Sequence, residues 1–103
     1  MENSEFKKTL INKAFVFGKD IIALVDKLPL KRSVSVIANQ LLRSATSIGA
    51  NIIEAQAASS RRDFVNFLNH ALKSCNETKF WLALLKEPAP GCINDLDRLY
   101  AEA

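Results

Sequence analysis

Two polar stripes hold most of the side chains that could do chemistry. Arg43, Ser47, Asn51 and Glu54 recur at steps of four, four and three, and Asp63, Asn66, His70, Lys73 and Glu77 recur in the same rhythm. Such spacing gathers each set on one face of a helix. Acids, bases and amides on two facing helices either line a polar groove for a ligand or form a ladder of ion pairs and hydrogen bonds that fixes helix register. Both readings stay open. On antiparallel helices Arg43 comes level with Glu77, and the two are expected to pair.

Catalysis finds little to work with. His70 is the only histidine, so neither a two-histidine metal site nor a pair of Glu-x-x-His motifs fits within one chain. A metal centre would need an oligomer to bring several copies of His70 or Glu77 together. Cys75 lies five residues from His70, about 140° around a helix, which rules out a Cys–His dyad. Gly18, Gly49 and Gly91 stand alone, so no glycine-rich phosphate loop is present. No catalytic residue, cofactor or metal is expected, and the protein reads as a non-enzyme.

Basic residues suggest a different chemistry. Lys27, Lys31, Arg32, Lys79 and Lys86 fall near one end of the inferred bundle and are the candidate contacts to nucleic-acid phosphates. At the other end Lys7, Lys8, Arg61 and Arg62 are offset by Glu2, Glu5, Glu54 and Asp63. The overall excess is mild: 14 Lys and Arg against 11 Asp and Glu, or +3, less than a dedicated nucleic-acid binder carries. Phe64, Phe67, Phe80 and Trp81 sit on helix faces rather than among the cations, so base stacking is not indicated. A solvated surface is the plainer reading of these charges.

The elements that must position these residues are helices. Apolar residues make up 49% of 103 residues, with three Gly and three Pro, the profile of a single globular domain, residues 1–103, with few loops. Leu10, Ala14, Phe17, Ile21, Leu24 and Leu28 mark the seam of a first helix over about residues 4–28, with Asn3 or Ser4 as its cap. Beside it run Ile11, Phe15, Gly18, Ile22 and Val25. This helix is therefore apolar over about half its circumference, wider than one bundle core uses, and the surplus predicts contact with another subunit. Pro29 ends it.

A second helix from about Ser33 has the seam Val34, Ile37, Leu41, Ala45, Ile48, Ile52 and Ala55. Gly49 inside it is either a tolerated glycine or a point of close helix approach. Ser60-Arg61-Arg62-Asp63 has the form of a capping box, and Phe64, Leu68, Ala71, Cys75, Thr78, Leu82 and Leu85 continue a third seam. Glu87-Pro88-Ala89-Pro90-Gly91 is a loop. A short fourth helix carries Ile93, Leu96, Leu99 and Tyr100. Three rods of about 37 Å with short connections make an antiparallel up-down-up-down four-helix bundle, all-α. Its short fourth helix leaves half of one groove open, and a partner helix docked there is the alternative to nucleic-acid binding.

No apolar leader follows Met1 and no run reaches the roughly 18 apolar residues of a membrane span. A cytoplasmic setting with Cys75 and Cys92 as reduced thiols is the expectation, and Cys75 on its apolar face reads as a small core residue.

The run Gln40-Leu41-Leu42-Arg43-Ser44-Ala45-Thr46-Ser47-Ile48-Gly49-Ala50-Asn51-Ile52-Ile53-Glu54-Ala55 resembles the signature of the bacterial four-helix bundle family of 23S rRNA intervening-sequence proteins. Asp63-Phe64 and Asn76-Glu77-Thr78-Lys79-Phe80-Trp81-Leu82 are similar to that family's third helix, and the likeness covers about residues 6–88. It implies a homopentamer, with Arg43, Ser47, Asn51, Glu54 and Glu77 as signature positions without catalytic roles. A related branch, the accessory proteins of diversity-generating retroelements, forms strongly basic pentamers that bind nucleic acid and a reverse transcriptase. This chain lacks that basic character, and its last helix is shorter than the family's usual one. A weak RNA- or DNA-binding oligomer is what the resemblance and the basic end together imply.

Overall fold

The computed structural model describes residues 3–102, excluding the side chains of Asn3, Ser4 and Ile93. The expected cap of the first helix and the first apolar residue of the last one thus lie outside the described residues. The chain folds into α1 (Asn3–Lys27), α2 (Arg32–Gln56), α3 (Arg61–Leu84), a 3-10 turn (Pro90–Cys92) and α4 (Ile93–Glu102). Boundaries follow local chemistry. Pro29 keeps α1 from running on, and the turn closes with the Lys31 amide donating to the Pro29 carbonyl at 2.9 Å. At the start of α3, Ser60 Oγ accepts the Asp63 amide at 3.1 Å, the forward half of the expected box. The return half differs: the Asp63 carboxylate accepts from the Ser59 hydroxyl at 2.8 Å. Aspartate is one methylene shorter than the glutamate such boxes favour, and Ser59 is within its reach.

Cross-helix contacts give the directions. Ser44 meets Thr78 and Ser47 meets Ser74, so residue numbers fall along α3 as they rise along α2. Asp20 and Lys27 of α1 meet Arg98 and Asp95 of α4 in the same inverse order. These two pairs run antiparallel, which is compatible with the expected up-down-up-down order. The α2–α3 contact is the most extensive, α1 packs on α2, and α4 packs on both α3 and α1. Between them α1 and α3 share no extensive contact, so the space above α2 is a groove that α4 enters.

The seams set the core. Phe17, Ile21 and Leu24 of α1 with Leu28 just after it, six of the seven α2 seam residues, and Ala71, Thr78, Leu82 and Leu85 around α3 are buried. Leu96 and Leu99 of α4 are fully buried with them, worth about 1.5–3 kcal/mol each. Burial is uneven along the rods. Leu10, Ala14, Leu68 and Cys75, beyond the reach of α4, are only partly covered. Tyr100 is another exception to the seam reading: it is exposed, with Lys79 Nζ 5.5 Å and Lys86 Nζ 5.9 Å from its ring centroid. Gly49 resolves as both of its readings. α1 approaches closely there, yet a Cβ on Gly49 would stand 3.6 Å from Ala14 Cβ, an ordinary contact. Among the described residues no helix is long and apolar enough to cross a membrane.

Candidate functional site

The polar ladder forms along the α2–α3 interface. Arg43 and Glu77 pair as expected, with side chains 58% and 35% exposed. Their surroundings were not legible beforehand: Trp81 Nε1 donates to the same Glu77 oxygen at 3.0 Å, and Arg43 Nε donates to Gln40 Oε1 at 3.1 Å. Ser47 Oγ lies 2.6 Å from Ser74 Oγ, and Asn51 Nδ2 donates to the Ser47 carbonyl at 2.8 Å and to Ser47 Oγ at 3.1 Å. Glu54 is exposed at the far end of the stripe, as is His70 on α3.

Beneath the ladder lies a buried pair that periodicity passed over. Ser44 and Thr78 are wholly buried, with their hydroxyls 2.9 Å apart. Thr78 Oγ1 also lies 2.7 Å from the Ser74 carbonyl and Ser44 Oγ 3.3 Å from the Leu41 carbonyl, so each hydroxyl has a backbone acceptor as well as the other hydroxyl within reach. No buried side-chain nitrogen or oxygen among the described residues lacks a partner. These bonds close on one another within the interface, which is the behaviour of a register lock.

The basic end is less basic than its lysines suggest. Lys27 Nζ pairs with Asp95 at 3.3 Å, and Lys86 Nζ pairs with Asp97 at 2.5 Å. Lys31 Nζ donates to the Pro88 carbonyl at 3.3 Å, Lys79 sits by Tyr100, and Arg32 is exposed at the start of α2. Lys27, Lys31 and Asp95 share a cleft of about 590 Å³ between the α1–α2 turn and the Pro88–Cys92 loop. The structure therefore gathers Lys27 and Lys31, puts Lys79 and Lys86 together around Tyr100, and threads α4 acids among them. Reading α4 only for its apolar residues missed Asp95 and Asp97.

Past α4 the groove opens. Leu10, Ala14, Phe17, Ile48, Ile52 and Cys75 line a cleft of about 240 Å³, with Lys13 and Glu102 at its edges. It adjoins a second cleft of about 530 Å³ bordered by Asn12, Lys13, Val16, Phe17 and Glu102. Partial burial raises the Cys75 thiol pKa above the ordinary thiol range, with Lys79 opposing the rise.

The surplus apolar face of α1 is real as well. Phe15 and Ile22 are 64% and 49% exposed, and Ile53 of α2 is 51% exposed. With Gly18, Gly49 and Ala50 they form a trough of about 280 Å³ on the outer side of α1 and α2.

Comparisons with known proteins agree with this architecture. The 23S rRNA-intervening sequence protein family matches residues 7–103. A crystal structure of a protein of unknown function, from the S23 ribosomal protein family of Bacteroides thetaiotaomicron, is similar at TM-score 0.81 and 40% sequence identity. The likeness covers 90% of this chain and 86% of that one. No curated protein matches. A family match over nearly the whole sequence, joined to a solved relative of the same helical fold, establishes that the chain belongs to the 23S rRNA-intervening sequence protein family.

Proposed function

We propose that this protein is a non-enzymatic, self-associating helical scaffold that works by docking a partner helix in the open half of the α1–α3 groove. The observation that carries the reading is the cleft lined by Leu10, Ala14, Phe17, Ile48, Ile52 and Cys75, where Leu10, Ala14 and Cys75 are only partly covered. Self-association is assigned to the outer trough of α1 and α2, where Phe15, Ile22 and Ile53 stand in solvent. The family resemblance supports five copies of the 11.4 kDa chain, in a cytoplasmic setting. Sedimentation of the purified protein tests assembly, and Phe15→Glu should reduce the particle to one chain. Affinity capture tests docking: one protein partner retained after nuclease treatment is the expected result, and loss of all partners with nuclease contradicts it.

A second reading, weak RNA or DNA binding, has its own support. Lys31 and Arg32 flank the start of α2, whose first turn contains no acid. A phosphate there would be favoured by both the cations and the helix end. Lys27 and Lys86 would first have to leave Asp95 and Asp97, which is why this reading ranks second. Salt-dependent RNA binding by the intact oligomer would support it, and no binding at about 50 mM salt would end it.

A further inference from the structure

One exposed aromatic on α3 is braced rather than left loose. Phe80 is 56% exposed, yet its ring meets the Trp81 ring edge-on, with centroids 5.0 Å apart. Trp81 is itself anchored, its Nε1 donating to Glu77 Oε2, the oxygen that Arg43 also holds. The polar ladder thus steadies an apolar side chain that stands largely in water. Leu84, one turn on and 42% exposed, extends the same face of α3, and Glu87 is exposed three positions further. A steadied aromatic loses little rotamer freedom on burial, and aromatics are common anchors of an interface.

The trough on α1 and α2 has the opposite form. Small residues, Ala14, Gly18, Gly49 and Ala50, line it together with Phe15, Ile22 and Ile53, so an incoming side chain can come close to both backbones. Its single charged lining residue is Lys19, with Nζ 5.5 Å from the Phe15 ring centroid. Among the described residues no acid pairs with Lys19, and no base pairs with Glu87. No residue of α3 lines the trough, so anchor and trough do not meet within one chain.

Copies of the chain can bring these surfaces together in two ways. Trough on trough, the isologous arrangement, carries two Lys19 side chains into one apolar seam whose lining contains no acid, a like-charge contact that opposes binding. It also leaves Phe80 and Leu84 in water. Anchor in trough covers both apolar patches with one contact and gives Lys19 an acid in Glu87. Shape and charge on one face therefore match those on the other.

We infer that copies of this chain assemble head to tail, the Phe80–Leu84 face of α3 in one copy seating in the α1–α2 trough of the next. The contact is heterologous, so each copy turns a different face to each neighbour, and growth ends only when the assembly closes on itself. The inference rests on the self-association reading above and names the surface that fills the trough.

Sedimentation of two variants and of their mixture tests it. Phe15→Glu spoils the trough and spares the anchor, and Phe80→Glu does the reverse; both side chains are exposed, and circular dichroism should be unchanged. Each variant alone should run as one chain, near 11.4 kDa. Leu84→Glu, which leaves the Phe80–Trp81 contact in place, should behave as Phe80→Glu does. Mixed in equal amounts, Phe15→Glu and Phe80→Glu should form two-chain particles that grow no further, because each pair holds one intact contact. Lys19→Glu should weaken assembly about fivefold, and Glu87→Lys added to it should restore it; no restoration would overturn the Glu87 contact. Normal assembly of Phe80→Glu and Leu84→Glu, with Phe15→Glu a single chain, would overturn the inference and leave self-association standing through paired troughs. Two single-chain variants that stay single when mixed would overturn it as well. An unchanged protein that runs as one chain would overturn the self-association reading and the inference together.

Discussion

One groove has two halves, and they are finished in different ways. In the covered half, Leu96 and Leu99 of α4 are fully buried on a floor that includes Ile21 and Leu24, and Asp95, Asp97 and Arg98 tie the helix to charged rims. In the open half, Leu10, Ala14 and Cys75 are only partly covered, and Phe6, Val65 and Leu72 of α1 and α3 are exposed. Charged rims suit an occupant that is always present, since surface ion pairs give orientation at little net energy. The exposed apolar side chains beside the open half have no such ionic partners. The halves thus differ in kind: ion pairs and buried leucines seat α4 at one end, and an apolar cleft marks the other.

The sharpest way to break this contrast is to evict α4. Leu96→Asp with Leu99→Asp places two charges in the core, a cost well above about 3 kcal/mol, and a 10-residue helix does not persist alone. Loss of about a tenth of the helical circular dichroism, with a rise in apolar dye binding, is expected. Leu72→Asp in the open half should change neither helix content nor stability.

Burial separates the two thiols by a smaller margin. Cys75 opens onto the uncovered half whereas Cys92 is buried at the other end, so native alkylation should modify Cys75 several-fold faster, with the gap closing in urea. Because burial raises the Cys75 pKa, less thiolate is present at pH 8 than in a free thiol. Its rate should therefore trail a model thiol at that pH and keep climbing as pH rises past the ordinary thiol range.

Salt should distinguish the halves more gently. Raising sodium chloride to about 1 M screens the exposed pairs that hold α4 and should loosen it by about 1 kcal/mol, read as faster amide exchange in α4 than in α2. Gly49→Ala is the smallest perturbation. It adds a methyl at ordinary contact distance from Ala14 and should raise stability by about 0.5–1 kcal/mol, leaving both halves of the groove as they are.

Periodicity made the rods, their seams and the short α4 legible, because burial in a bundle is written at steps of three and four. The Arg43–Glu77 pair was legible for the same reason: antiparallel register converts two stripes into a contact. Other features obey no stripe. Lys27 meets Asp95 across 68 positions, a contact set by where α4 lands and invisible when the lysines are counted alone. Ser44 hides a polar group among apolar neighbours, and its one signal was lying level with Thr78 on the facing helix. The exposed apolar residues of α3 were hidden too. Leu72 and Val65 lie off the seam of α3, and that they stand exposed shows only in the structure.

The most direct test of an available open half is the alkylation rate of Cys75 with and without a saturating apolar helical peptide. A seat for a helix predicts that the peptide slows Cys75 by at least about tenfold, the sulfur being on the cleft wall, and leaves Cys92 unchanged. An unaltered Cys75 rate with the peptide bound would place the docking site elsewhere and contradict the account.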